Sequence, residues 1–183
     1  MDLKEEVIIA IMEHIEVFNE YYQQFLDCYD RFVELRNANP YCLDTETYFD
    51  MLVVQLRSLL LESNNAPVGL ENYTFQSILK LVEDKKQGFM IINRLLKTPM
   101  YTSKDMKECT IEYALKSISN KSLCHYNNFH REDKYSYELI RMLRSDLINS
   151  EKEINIDYIV REIKSVFCNG IQVCIDNDLL LND

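Results

Sequence analysis

From Leu3 to about Arg36, apolar side chains return every three or four positions, at Val7, Ile8, Ile11, Ile15, Phe18, Tyr22, Phe25, Leu26, Tyr29, Phe32 and Val33. That period predicts one long amphipathic helix, or two in line. The far side of this segment carries Glu6, Glu13, Glu16, Glu20, Asp27, Asp30 and Glu34. Asn37-Ala38-Asn39-Pro40 ends it, because proline lacks a backbone donor and pushes its predecessor out of helical geometry. A second helix is expected from about Glu46 to Glu62, capped by Asp44 or Thr45. Its apolar residues, Met51 to Val54, Leu56 and Leu59 to Leu61, run nearly round the circumference, which places it at the centre of a bundle. Arg57 projects away from the stripe of Gln55, Ser58 and Glu62, so it is expected to be partly buried and to need a partner from another helix.

The pattern then breaks at 63–69, the clearest loop. It resumes from Asn72 or Thr74, pauses at the charged run Glu83 to Gly88, and stops at Thr98-Pro99. Thr102 or Ser103 is read as the cap of a helix carrying Met106, Cys109, Ile111, Tyr113, Ala114, Leu115 and Ile118. Tyr135, Leu139, Ile140, Met142, Leu143, Leu147 and Ile148 trace another helix. The last is expected from Ile156 to about Leu181, capped by Asn155 and bent at Gly170. The fold class is therefore all-α, one domain over 1–183, as a bundle of about six or seven helices with a core at about 44–150 and little or no sheet.

Composition supports this. Three Gly and three Pro in 183 residues leave few tight turns, and 47% hydrophobic residues are enough for a full core. Six cysteines without a C-x-x-C pair read as buried free thiols of a reducing cytosol, not as zinc ligands or a disulfide framework. No apolar run approaches the ~20 residues of a membrane span, and the acidic start is unlike a signal peptide, so a cytoplasmic protein without membrane contact is expected. The net charge of −10 is unevenly placed. Eight acids in the first 30 residues face Lys4 alone, whereas 80–107 form a local basic strip. A dominant basic face, the usual footprint of a nucleic-acid binder, is lacking, which makes direct RNA binding the less expected option.

Possible chemistry is densest at Ser117 to Asn128, where a helical pattern stops among polar side chains. The run Ser119-Asn120-Lys121-Ser122-Leu123-Cys124-His125-Tyr126-Asn127 resembles the Arg-Asn-Lys-x-x-Ala-His-x-Asp motif of the HEPN superfamily, in its abortive-infection and antitoxin-associated branch. Asn120, Lys121 and His125 match it; Ser119 and Asn127 do not. Leu56-Arg57-Ser58-Leu59-Leu60-Leu61-Glu62 is similar to an earlier helix of that family. The resemblance spans two helices and a turn, and implies a helical bundle that in catalytic members cleaves RNA without metal, as a homodimer. His125 would then move a proton at the 2′-hydroxyl, while a cation steadies the charge developing on phosphate. Serine at 119 cannot supply that cation; Lys121, as a point charge, or Arg57, from another helix, would have to.

Two functions follow as expectations. The favoured one is a non-catalytic HEPN-like protein of phage–host conflict, without cofactor or metal. It would bind and inhibit a nucleic-acid-handling defence enzyme, of anti-CRISPR type, by presenting Glu13, Glu16, Glu20 and Asp27 to a basic protein or ribonucleoprotein, with Asn120 and Asn127 as further contacts. The alternative is a ribonuclease toxin or toxin–antitoxin component, a homodimer using His125, Lys121 and Arg57.

Overall fold

The long N-terminal pattern folds as a single helix, α1 (Leu3–Ala38), in a computed structural model that describes residues 3–61, 74, 78–79, 85–103, 106–123 and 134–167. Phe18, Tyr22, Phe25 and Phe32 repeat at helical spacing and are buried, and they form the spine of the core. Truncating a buried phenylalanine costs about 3–5 kcal/mol, so this stripe anchors α1 to the bundle. Glu13, Glu16, Glu20 and Asp27 are all exposed. At ~100° per residue, positions seven apart drift by only ~20°, which places these four acids within an arc of ~60°.

α1 stops where Asn39 donates to the Leu35 carbonyl at 2.8 Å, just before Pro40. α2 (Leu43–Leu61) then begins earlier than the sequence suggested. Its first turn is capped by neither Asp44 nor Thr45. The Cys42 sulfur accepts from the Thr45 N–H at 3.5 Å, and the buried Thr45 hydroxyl donates back to the Asn39 carbonyl at 2.8 Å. Those contacts with Thr45 also hold the Cys42 thiol below its usual range. Cys28 and Cys109 are buried thiols, as expected, and burial pushes Cys28 up to about 11.

Leu52, Val53, Leu56, Leu59 and Leu60 of α2 are buried, and Phe49 meets Phe32 of α1 at 6.1 Å between ring centroids. The helix is not wrapped on all sides, however. Met51 and Val54 are 46% and 48% exposed, so one apolar face stays open, a correction to its expected central position. At the edge of that face Asp50 pairs with Arg144, whose guanidinium also lies 5.2 Å over the Phe49 ring. Burial raises the Asp50 carboxyl despite the opposing pull of Arg144.

α3 (Lys85–Leu96) runs straight through Gly88, which therefore lies inside a helix and not at a break. A Cβ at Gly88 would come within 2.4 Å of Leu79 Cδ2, so the missing side chain lets two segments approach closely. After Thr98 the structure departs from expectation. Two strands, β1 (Pro99–Ser103) and β2 (Met106–Thr110), pair antiparallel in register Pro99↔Thr110, Tyr101↔Cys109 and Ser103↔Met106. Neither Thr102 nor Ser103 caps a helix. Thr110 does: its backbone is extended and its hydroxyl accepts from the Tyr113 N–H to start α4 (Ile111–Ser117).

α5 (Lys134–Ile148) and α6 (Ile156–Val166) follow. Asn155 caps α6 as its sequence position predicts. Its Oδ1 accepts from Tyr158 N–H at 2.9 Å while its Nδ2 donates to the carbonyls of Asn149, Ser150 and Lys152. A buried amide is tolerated there because both its ends are satisfied. The expected extension of α6 to Leu181 and the bend at Gly170 lie outside the described residues. A single buried cluster takes side chains from every labelled helix, ending at Phe167, whose ring stacks on Tyr22 at 4.4 Å. The architecture is an all-α bundle carrying one two-stranded sheet among the described residues. No described helix is long and apolar enough to cross a membrane.

Candidate functional site

Ile111, Ala114, Leu115 and Ile118 are spaced three and four apart, and all are fully buried. This stripe presses α4 against the core and leaves Tyr113, Lys116 and Asn120 on its outer face. The helix does not end at Ser117. It loosens into a π-helical segment, Ile118–Leu123, in which backbone bonds span five residues instead of four. Such segments are rare and concentrate at functional sites. Here the segment begins at Ile118, one residue before the run Ser119 to Asn127.

The Ser119 side chain is buried, 1% exposed, and its hydroxyl donates to the Lys116 carbonyl at 3.2 Å. On its other side it accepts from Arg57 Nη1 at 3.3 Å. The same nitrogen donates to Asn120 Oδ1 at 2.5 Å. Arg57 is half-buried, as its phase on α2 predicts, and its partners come from another helix, 62 and 63 positions away. Among the described residues both acceptors are neutral. The guanidinium is therefore oriented by dipoles, and a planar cation so held suits the bidentate binding of a phosphate.

The structure thus joins two of the five residues named for catalysis or binding in this region, Arg57 and Asn120, in a direct bond beside Ser119. Lys121 lies in the π-helical segment by its backbone. His125 and Asn127 lie outside the described residues. Glu13, Glu16, Glu20 and Asp27 belong to the outer face of α1 and form no part of this junction. Among the described residues no group of three metal-ligating side chains gathers.

Two features were not singled out by sequence reasoning. Tyr113 and Lys116 share the outer face with Asn120, at positions i, i+3 and i+7. Lys116 is tied to Glu112 at 2.5 Å, an exposed pair one turn apart. The second is Arg36, 7% exposed, which binds Asp157 with both terminal nitrogens while its carbon lies 5.1 Å over the Phe32 ring. Its signal was present: Arg36 continues the core phase of Phe32 and Tyr29, where an apolar residue would be usual. No family model, curated protein or solved structure matches this chain.

Proposed function

We propose that the chain is a HEPN-like ribonuclease of the toxin or toxin–antitoxin kind, with Arg57 as its phosphate-binding cation. The observation that carries this reading is the contact of Arg57 Nη1 with Asn120 Oδ1 and Ser119 Oγ. It sets a guanidinium from α2 beside Ser119, the residue aligned with the arginine of the resembling motif, and this supports the reading. In this reading Arg57, from elsewhere in the chain, stands in for the cation that Ser119 does not supply.

In the proposed reaction the 2′-oxygen of a nucleotide attacks the adjacent phosphorus, and the bond to the 5′-oxygen breaks. The products are a 2′,3′-cyclic phosphate and a free 5′-hydroxyl. His125 takes the proton of the 2′-hydroxyl and returns it to the departing 5′-oxygen, so that no net proton is lost. Arg57 acts on the non-bridging oxygens, where its hold tightens as charge accumulates in the transition state. Asn120 and Ser119 keep the fork aimed. Lys121 adds a point charge.

The test is cleavage of a labelled RNA by the full chain and by Arg57→Ala, Arg57→Lys, His125→Ala and Lys121→Ala. Arg57→Ala is expected to lower the rate by about 10²–10³, with lysine restoring only part of it. Wild-type rates in both Arg57→Ala and His125→Ala would remove this reading.

A second reading is favoured by a different observation, the exposure of Glu13, Glu16, Glu20 and Asp27 along one side of α1. In it the chain is a non-catalytic inhibitor in phage–host conflict, whose acidic helix occupies the basic channel of a nucleic-acid-handling defence enzyme. Reversing all four charges to lysine should abolish recovery of a basic partner from lysate. Undiminished recovery would exclude it.

A further inference from the structure

The outer face of α4 continues the Arg57 junction in one direction. Asn120 is exposed and accepts from Arg57; Lys116 lies one turn back; Tyr113 lies a further turn back, 45% exposed. At ~1.5 Å per residue the ring is roughly 10 Å from Asn120 along the helix axis. Tyr113 is fixed at its root, since its N–H is bound by the Thr110 hydroxyl that starts the helix, while its ring has no place among the core residues. An exposed aromatic and a lysine on α4 and an amide holding an arginine in the π-helical turn that continues it therefore form one line.

We infer that this line is a subsite for the nucleotide next to the reacting phosphate, with Tyr113 as the ring on which its base stacks. The inference rests on the reading of Arg57 as a phosphate ligand. Every base has a π-face, so an exposed tyrosine beside a phosphate-binding cation accepts any unstacked base without reading its edge. Lys116 serves the next phosphate. Its bond to Glu112 is between groups 51% and 40% exposed, and such a pair is worth little in water, so exchanging it for a phosphate oxygen costs little. The bases of a duplex are already stacked and cannot reach the ring. The subsite therefore selects an unpaired strand, with little preference for sequence.

The probe is a short single-stranded RNA, 2′-O-methylated so that it cannot be cleaved, with 2-aminopurine along its length, alongside its duplex. Binding is followed by anisotropy and stacking by 2-aminopurine quenching, with full-length wild type, Tyr113→Phe, Tyr113→Ala and Arg57→Ala. Tyr113→Phe should match wild type. Tyr113→Ala should bind the single strand roughly 5- to 100-fold more weakly and lose the quench, with duplex binding unchanged. If Arg57→Ala weakens binding while Tyr113→Ala does not, the subsite is wrong and the proposed role of Arg57 stands. If neither variant matters, both fall. An equal loss for single strand and duplex in Tyr113→Ala would also overturn the subsite, since stacking would not be the cause.

Discussion

Arg36 near the end of α1 grips both carboxylate oxygens of Asp157 in the first turn of α6, at 3.1 and 2.9 Å, across 121 positions of chain. Tyr29 donates to the same carboxylate at 2.9 Å, and Arg36 also reaches the Ile148 carbonyl at the end of α5. One arginine thus pins three helix ends. Removing one partner of a buried pair strands the other. Because Asp157 retains 32% exposure, Arg36→Ala is expected to cost about 2–4 kcal/mol and not the full amount for a sealed pair. Urea denaturation should give a lower midpoint at unchanged slope, with Asp157→Asn less severe.

Gly88 is predicted to resist enlargement. In an open helix, alanine for glycine gains about 1 kcal/mol. Here the new methyl meets the buried Leu79, so overpacking should reverse the sign and destabilise by about 1–3 kcal/mol. The double variant Gly88→Ala with Leu79→Ala should cost less than the sum of the two singles. Additivity in that cycle would mean the two positions do not press on each other.

Alkaline stability carries a separate prediction. Burial pushes Cys28 from an ordinary 9.0 up to about 11, and Tyr29 is raised by burial and by its bond to Asp157. Both are acids that are neutral when protonated. The unfolded chain loses these protons first, so the folded chain binds more of them and stability falls as pH rises. The Cys28 contribution is complete below pH 9 and gone above about 11, a loss of about 1–2 kcal/mol. Denaturation at pH 8 to 11 should show a shallower decline in Cys28→Ala. Tyr29→Phe should flatten the curve only above pH 10.

Replacing Asn120 by aspartate separates holding Arg57 from using it. A carboxylate at that position still receives Arg57 Nη1, so the melting temperature should hold or rise. With Arg57 as the proposed phosphate ligand, RNA binding should weaken, because the cation is neutralised before phosphate arrives. The salt dependence on a single strand should lose about one phosphate contact, a slope change of ~0.7. Asn120→Ala should show the opposite pattern, lower stability with smaller loss of binding.

How much of this could be read from the chain alone differs by residue. Asn155 was legible because an amide directly before Ile156, Ile159, Val160 and Ile163 has one conventional use. The strand pair was not. Met106, Cys109 and Ile111 continue a spacing of two and three that also suits a helix, and strands of five residues are too short for their alternation to decide the matter. The open face of α2 was hidden by composition, since Met51 and Val54 are as apolar as their buried neighbours. Arg57 was half legible. Its phase showed it turning inward, but its partner sits 63 positions on, and nothing local specifies which loop folds back. The same holds for Arg36, whose place among core phases marks it as paired without naming Asp157.

The π-helical segment gives the domain a setting for rotational phase. A stretch that winds more loosely than its neighbours turns everything beyond it backward relative to a regular helix, much as a spacer retimes a gear. Ser119 and Asn120 stand at the start of that retiming, with Arg57 latched to both. Excising one residue from 121–123 would let the helix tighten and turn the end of this segment by about a quarter turn relative to Arg57. The junction is therefore set by angular position as much as by residue identity, with Arg57 held to Ser119 and Asn120 where the winding changes.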